Sequence, residues 1–182
     1  MILLDPDLEP EPAPRATERR KDSLRRNRTQ STLKKIPSSR TLARFLGMAQ
    51  RAVRLRGEVN VLLTTDLPIR RLNRQFRGKD KPTDVLSFPA SGPAAAGIAG
   101  DLAMSVDTAR RQAEAQGHSL TVELKVLLLH GLLHLAGHDH EIDNGQMERR
   151  ERRLRAQLGL PLGLIERSGE VNPAKLAKRS RS

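Results

Sequence analysis

The sequence of 182 residues contains no cysteine, no tryptophan and no tyrosine, and only three phenylalanines. Without cysteine, disulfides, thiolate metal sites and cysteine nucleophiles are excluded, so a metal ion can be held only by His, Asp or Glu. The scarcity of aromatic side chains disfavours a base-stacking platform of the RNA-recognition type.

Long apolar segments are also missing, because no apolar run reaches the ~18 residues that a membrane-spanning helix requires. The apolar start Met1–Leu4 is too short for the core of a signal peptide, and acidic residues follow it. The sequence therefore predicts a soluble cytoplasmic protein with no membrane partner.

Acidic residues are outnumbered, with 21 Asp and Glu against 33 Lys and Arg, which gives a net charge of +12. A polyanion or an acidic surface is therefore a plausible partner. From Arg19 to Arg40 there are nine basic residues and one acid, and four prolines precede Arg15. Such a composition buries too little apolar surface to offset the entropy of ordering.

This charge distribution predicts three parts. Residues 1–38 form a basic, mostly disordered arm, residues 39–167 form one domain, and residues 168–182 form a second basic, disordered tail. The basic arm is interpreted either as an attachment to RNA or the ribosome, or as a solvated tail without a specific partner.

The hydrophobic periodicity of the middle part predicts an α+β domain, a single small domain with one mixed β-sheet packed against helices. The predicted helices are Thr41–Val53, with Thr41 or Ser39 as its cap, Asp66–Phe76, with Asp66 as its cap, Thr108–Gln116, Ser119–Ala136 and Gln146–Leu158. The predicted strands are Glu58–Thr65, Thr83–Pro89 and Ile98–Val106. The helix Ser119–Ala136 is apolar almost all round, which predicts a central buried position, and Gly137 ends it.

Four of the five histidines lie between His130 and His140. His130 and His134 are four residues apart, so a helix places both rings on one face, close enough to share a metal ion. His138 is eight residues from His130, or about 12 Å along a helix, and a straight helix cannot bring all three together. If Gly137 breaks the helix, the chain can fold back and bring His140 to the first two.

We therefore predict His130, His134 and His140 as the ligands of one metal ion per chain, carried in part by the central helix. Zinc suits three imidazoles without a thiolate, although nickel or copper would also bind. Three protein ligands leave one position for water, which is typical of a catalytic zinc site. The alternative is a set of histidines without metal, which fits poorly because unpaired imidazoles in an apolar helix are costly.

The same histidine spacing occurs in metzincin proteases, but those carry a glutamate general base directly after the first histidine. Here that position is Gly131. The spacing therefore indicates a metal and does not indicate proteolysis.

The segment His130–His140 resembles the signature of the YbeY family of bacterial metal-dependent endoribonucleases, which act in ribosomal RNA maturation. The segment Leu72–Pro89 resembles a second family motif, Arg-Gly-Lys-Asp-Lys-Pro-Thr-(Asp or Asn)-Val-Leu-Ser-Phe-Pro, and Gly100-Asp101-Leu102 resembles a third. The resemblance covers about residues 41–165. The chain differs from the family in having His138 where tyrosine is usual, and in having only Met1–Leu4 as a candidate for the first strand.

The resemblance implies a single-strand-specific, zinc-dependent endoribonuclease that acts in small-subunit ribosomal RNA end processing and in ribosome quality control. It implies ribosomal RNA and the small ribosomal subunit as partners, with ribosomal or GTPase assembly proteins as further candidates. It also implies a catalytic role for Arg77, whose planar guanidinium would bind the phosphate. The alternative for Arg77 is a salt bridge to Asp80, Asp84 or Asp101.

Two other functions remain open from the sequence. One is a zinc metallohydrolase that acts on another substrate class, such as a peptide or a small ester. The other is a non-enzymatic ribosome-assembly factor whose metal stabilises the fold. The Arg-rich run from Glu148 to Arg155 is interpreted as an exposed helix face with intrahelical pairs, or as an RNA contact.

Overall fold

The structure is a computed structural model that describes residues 1–8, 36–91, 97–138 and 144–161. Within these residues the strands are β1 (Ile2–Leu4), β2 (Glu58–Thr64), β3 (Val85–Pro89) and β4 (Ile98–Ser105). The α-helices of the same residues are α1 (Ser39–Val53), α2 (Asp66–Arg77), α3 (Val106–Ala115), α4 (Leu120–Leu135) and α5 (Gln146–Leu158). None of these helices has the length and apolar character that crossing a membrane requires.

The four strands form one mixed sheet in the order β1-β2-β4-β3, so the predicted α+β class with one mixed sheet is confirmed. Strands β1, β2 and β4 are parallel, and β3 runs antiparallel to β4 at the edge. Hydrophobic side chains alternate between the two faces, as they must in a strand. Val61 and Leu102 belong to the main core on one face, and Leu86 and Ala103 belong to a smaller core on the other.

Strand β1 lies at the start of the predicted arm of residues 1–38, where Met1–Leu4 was the candidate for the first strand. Ile2–Leu4 pair in parallel with β2, and Ile2 packs against the main core. The Thr64 hydroxyl donates a hydrogen bond of 2.5 Å to the Asp5 carboxylate directly after the strand. The three apolar residues therefore fill the edge position for which they were the only candidate, whereas residues 9–35 of the predicted arm lie outside the described residues, as does the predicted tail 168–182.

Helix α4 occupies the centre of the fold, as its apolar sequence predicts. It contacts α1, α3, α5 and the strands β3 and β4. Side chains from every side of the helix are fully buried, including Leu124, Val126, Leu129 and Leu132. Helix α2 covers the opposite face of the sheet, where Ile69 packs against the smaller core.

Two helices begin earlier than the sequence predicts. Helix α1 is capped by Ser38, whose hydroxyl accepts a hydrogen bond of 3.3 Å from the Thr41 backbone, and not by Thr41 or Ser39. Helix α3 begins at Val106 directly after β4, because Ser105 ends the strand and caps the helix. Because Ser105 both ends β4 and caps α3, no loop separates the two elements. Hydrophobic periodicity gives no signal for such a junction.

Gly131 lets α4 lie close to the sheet. A β-carbon at this position would be 2.8 Å from the Leu102 Cδ2 atom and 3.4 Å from the Val85 Cγ2 atom. The Leu102 side chain is almost fully buried and has little room to move. The close approach also brings the Ser87 hydroxyl within 3.4 Å of the Gly131 carbonyl, to which it donates.

We predict that Gly131→Ala destabilises the protein by about 1–3 kcal/mol, because overpacking outweighs the higher helix propensity of alanine. Gly47→Ala is the matched control, since Gly47 is also in a helix and its β-carbon would meet only the Arg51 side chain at 3.6 Å. This control variant should be as stable as the wild type or more stable. Urea unfolding of the two variants checks the prediction, and equal behaviour of the two glycines would contradict it.

The Asp66 carboxylate joins the first turn of α2 to α3. It accepts hydrogen bonds of 2.5 Å from the Ser105 hydroxyl, 2.7 Å from the Thr108 hydroxyl and 2.8 Å from the Arg111 guanidinium. Burial alone would raise the pKa of Asp66, but these hydrogen bonds and the Arg111 charge hold the pKa below its usual value. Asp66 is therefore the first residue of α2 and a tether to α3, not the cap of α2 that the sequence predicts.

Asp66→Ala should lower the free energy of unfolding at pH 7 by about 1.5–3 kcal/mol, the usual range for hydrogen bonds to a charged group. Because the pKa is lower in the folded state, this stabilisation is present above the unfolded pKa of about 3.9 and is lost as the pH falls through the folded pKa. The difference between variant and wild type should therefore shrink below pH ~4. Urea titrations of both proteins from pH 7 to pH 3 measure this difference in unfolding free energy. A difference that grows toward low pH would refute the stabilising role of the ionised Asp66.

Candidate metal centre

His130 and His134 lie one turn apart near the end of α4, with their rings side by side. Their Nε2 atoms are 3.1 Å apart, and the ring centroids are 4.7 Å apart with the planes at 76°. His130 is buried, and His134 is partly exposed. The helix therefore brings both Nε2 atoms to one point at the surface, as the spacing of four residues predicts.

Glu151 on α5 orients the His130 ring. Its Oε2 atom is 3.0 Å from the His130 Nδ1 atom, and both side chains are buried. An ionised carboxylate can only accept a hydrogen bond, so Nδ1 carries the proton and the Nε2 lone pair of a neutral His130 points toward His134. A carboxylate behind an imidazole in this way is typical of metal-binding histidines.

Arg155 holds this carboxylate from the other side. Its Nε atom donates a hydrogen bond of 2.8 Å to the Oε1 atom of Glu151, and its side chain is almost fully buried. Burial alone would raise the pKa of Glu151, but the hydrogen bond from His130 and the charges of His130 and Arg155 lower it from 4.5 to about 2. When His130 is neutral, the Arg155 guanidinium remains to balance the buried negative charge.

The buried pair of Glu151 and Arg155 corrects the interpretation of the Arg-rich run as an exposed face. Only part of the run is exposed, such as the Arg152 guanidinium, which lies 2.9 Å from Glu148. Sequence reasoning missed Glu151 as a partner of the histidines. A signal was present, because Glu151 lies four residues after the buried Met147 and three before the buried Leu154, which places it on the apolar stripe of α5.

The end of α4 turns the chain as predicted at Gly137, which has a positive φ of 83°. The Gly137 backbone donates to the His134 carbonyl at 2.9 Å, and the His138 backbone donates to the Leu133 carbonyl at 3.0 Å. These two bonds define a Schellman motif, which ends a helix and redirects the chain.

The predicted third ligand, His140, lies outside the described residues. Among the residues that the structure does describe, no three His, Asp or Glu side chains are grouped closely enough to hold a metal ion. His130 and His134 are thus the two predicted ligands that the structure brings together.

Arg77 is the last residue of α2, and its side chain is exposed. The three acids that were its alternative partners each have a partner from elsewhere. Asp80 accepts two hydrogen bonds, of 2.9 and 2.8 Å, from Arg70. Asp84 accepts one from the Gln112 amide at 2.9 Å, and Asp101 accepts one from the Asn60 amide at 3.0 Å.

Comparison with known proteins identifies the family. Residues 17–159 match the sequence profile of the family described as Endoribonuclease YbeY. The protein named Endoribonuclease YbeY of Koribacter versatilis is 53% identical over 142 residues, which are 78% of this chain and 90% of that relative. The protein of the same name from Solibacter usitatus is 52% identical over 126 residues, which are 69% of this chain and 83% of that relative.

A solved structure is similar as well. The solution structure of TM1509 from Thermotoga maritima is 28% identical and has a TM-score of 0.50, covering 68% of this chain and 85% of that chain. The predicted family is therefore confirmed, and the chain belongs to the endoribonuclease YbeY family.

Proposed function

We propose that this chain is a metal-dependent endoribonuclease that acts in ribosomal RNA maturation. The observation that carries the proposal is the pair of imidazole Nε2 atoms 3.1 Å apart, with the His130 ring held by a buried carboxylate. The relatives in the same family that are named endoribonucleases support the reaction class.

The donor set fits a zinc ion, one per chain, held by His130, His134 and His140. Two nitrogen ligands of one tetrahedral zinc at bond lengths of ~2.0–2.1 Å lie about 3.3 Å apart, close to the separation of the two described rings. A direct hydrogen bond between the two rings gives a similar distance, so a measurement of metal content must decide between a shared zinc ion and a hydrogen bond. The Schellman turn after His134 supports the third position, because it ends the helix before His138, as a ligand at His140 requires.

When bound, such a metal supplies positive charge at the cleaved phosphodiester and activates the attacking oxygen. The chain's own side chains would orient the metal ligand and bind the RNA phosphates. Glu151 is buried behind the His130 ring, so it would hold a proton on Nδ1 and fix the ring's orientation, and it would not contact the substrate. Arg77 would bind a non-bridging phosphate oxygen pair through its guanidinium fork, and the exposed Lys79 and Lys81 would hold flanking phosphates.

The finer proposal is that the substrate is single-stranded, that the reaction trims the ends of small-subunit ribosomal RNA, and that it serves ribosome quality control in the cytoplasm. Ribosomal RNA and the small subunit are the proposed partners, with ribosomal or GTPase assembly proteins as further candidates. The net charge of +12 supports a polyanionic partner.

The direct experiment uses the purified full chain. Its metal content is measured by mass spectrometry, and cleavage of structured ribosomal RNA is followed with and without a chelator, then after zinc is restored. Metal-dependent cleavage supports the proposal. Tight binding to the small subunit without cleavage would instead indicate an assembly factor with a structural metal.

We predict that His130→Ala, His134→Ala and His140→Ala each lose most of the bound metal and all detectable cleavage. His138→Ala should keep one metal ion per chain, and His138→Tyr should keep activity, because the His138 backbone and not its side chain forms the turn. Metal analysis of the single variants tests the ligand set. Retained metal in His140→Ala together with lost metal in His138→Ala would overturn it.

We also predict that Arg77→Ala lowers cleavage by about 100-fold, the usual loss when one charge-stabilising donor is removed, with metal content and melting temperature near wild type. Arg77→Lys should recover only part of the activity, because an ammonium group cannot form the bidentate fork. Arg44→Ala is the charge-matched control, since Arg44 is an exposed arginine on α1. If Arg77→Ala unfolds the protein or cleaves normally, Arg77 has a structural role.

A further inference from the structure

Two of the three phenylalanines meet at one edge of the sheet. The rings of Phe76 on α2 and Phe88 on β3 pack edge to face, with centroids 5.0 Å apart and planes at 71°. Phe88 is half-buried, but Phe76 is 58% exposed. The third, Phe45, is buried in the main core. The chain therefore concentrates its few aromatic side chains in one exposed pair.

The exposure of Phe76 follows from its place on α2. The inward stripe of this helix begins with Ile69, which is fully buried, and continues through Leu72 to Phe76. Strand β3, which carries Phe88, is the edge of the sheet in the described residues. Phe76 packs against Phe88 and leaves more than half of its own surface to solvent.

The surface around the pair is strongly basic. Helix α2 and the loop that joins it to β3 contain three acidic side chains and six exposed basic ones: Arg70, Arg71, Arg74, Arg77, Lys79 and Lys81. An exposed aromatic ring within a cationic surface is the combination that binds single-stranded nucleic acids, where bases stack on the ring and cations track the phosphates.

Strand β3 connects the aromatic pair with the helix that carries the histidines. Phe88 faces α2, whereas its neighbour Ser87 faces α4 and donates to the Gly131 carbonyl, next to His130. A strand of RNA that crosses β3, the edge strand of the described sheet, would therefore pass from the aromatic pair to the histidine pair.

We propose that the Phe76–Phe88 pair is a stacking subsite for one unpaired base of the single-stranded RNA substrate. This inference rests on the proposed function and adds the residues that would select a single strand. A base inside a duplex is stacked on its neighbours and cannot lie on Phe76, so the subsite accepts only an unpaired base.

The first test uses the absence of tryptophan and tyrosine, which makes an introduced tryptophan the only fluorophore of its kind. The metal-loaded Phe76→Trp variant is titrated with a short single-stranded 2′-O-methyl oligoribonucleotide, whose integrity is checked on a gel. Stacking on a base should quench the emission. Leu67→Trp is the matched control, because Leu67 is on the same helix and 57% exposed, and its emission should stay constant. Equal quenching in both variants would overturn the subsite.

The second test separates stacking from packing and charge. Phe76→Leu, which still covers Phe88, should bind the oligonucleotide about tenfold more weakly, whereas Phe76→Trp should bind as well as the wild type. The slope of log affinity against log salt should be unchanged in Phe76→Leu, since no phosphate contact is lost. An abasic site moved along the oligonucleotide should weaken wild-type binding at one position and have no effect there in Phe76→Leu.

The outcomes distinguish this inference from the function on which it rests. If the wild type cleaves single-stranded RNA but Phe76→Leu binds equally well with the same abasic profile, the subsite is wrong and the proposed function stands. If the wild type neither binds nor cleaves RNA, the proposed function is wrong and the subsite falls with it.

Discussion

The close contact between α4 and the sheet is the constraint on which the candidate site depends. Two glycines permit this contact, Gly131 on α4 and Gly100 on β4. A β-carbon on Gly131 would press on Leu102, and one on Gly100, which has a φ of 147°, would lie 2.8 Å from the Leu135 Cδ2 atom and overlap the Phe88 carbonyl. A larger separation would move the histidines away from β3 and from α5 together. The position that a metzincin would give to its general base is thus filled here by a packing residue.

The buried chain of Arg155, Glu151 and His130 is the main electrostatic cost of this arrangement. Removing two charges from water costs several kcal/mol per ion, and their attraction repays it only with good geometry. Replacing such a group by apolar side chains is often neutral or stabilising, so stability alone is a weak reason for it. The role of these three buried side chains is instead to fix the orientation and the proton position of the His130 imidazole. Removing only Glu151 would leave a buried guanidinium without its carboxylate.

Local patterns predicted most of the fold, and they predicted that His130 and His134 lie together on one face of a helix. The elements with strong periodicity, such as α4 and α5, were predicted almost to the residue, because their apolar spacing is a property of the segment alone. The role of Glu151 was missed, because it depends on His130, a partner far away in sequence. For β1 the sequence offered only a candidate segment, because the pairing of this strand with Val61 is equally remote. A charged residue on an apolar stripe was the available signal, but in a helix with many arginines it resembled one more solvated charge.

The strand order separates two parts of the molecule that are free to change independently. Strand β1 is at one edge of the sheet and β3 at the other, and the histidines depend on α4, β3 and α5. In the sequence, residues 9–35 belong to the connection from β1 to α1. Since doubling the length of a loop costs only about 0.6 kcal/mol, evolution can lengthen, shorten or recompose this connection at little cost to the part of the fold that positions the histidines. Variation among relatives should therefore concentrate there, and a peptide tag inserted into it should leave the site undisturbed.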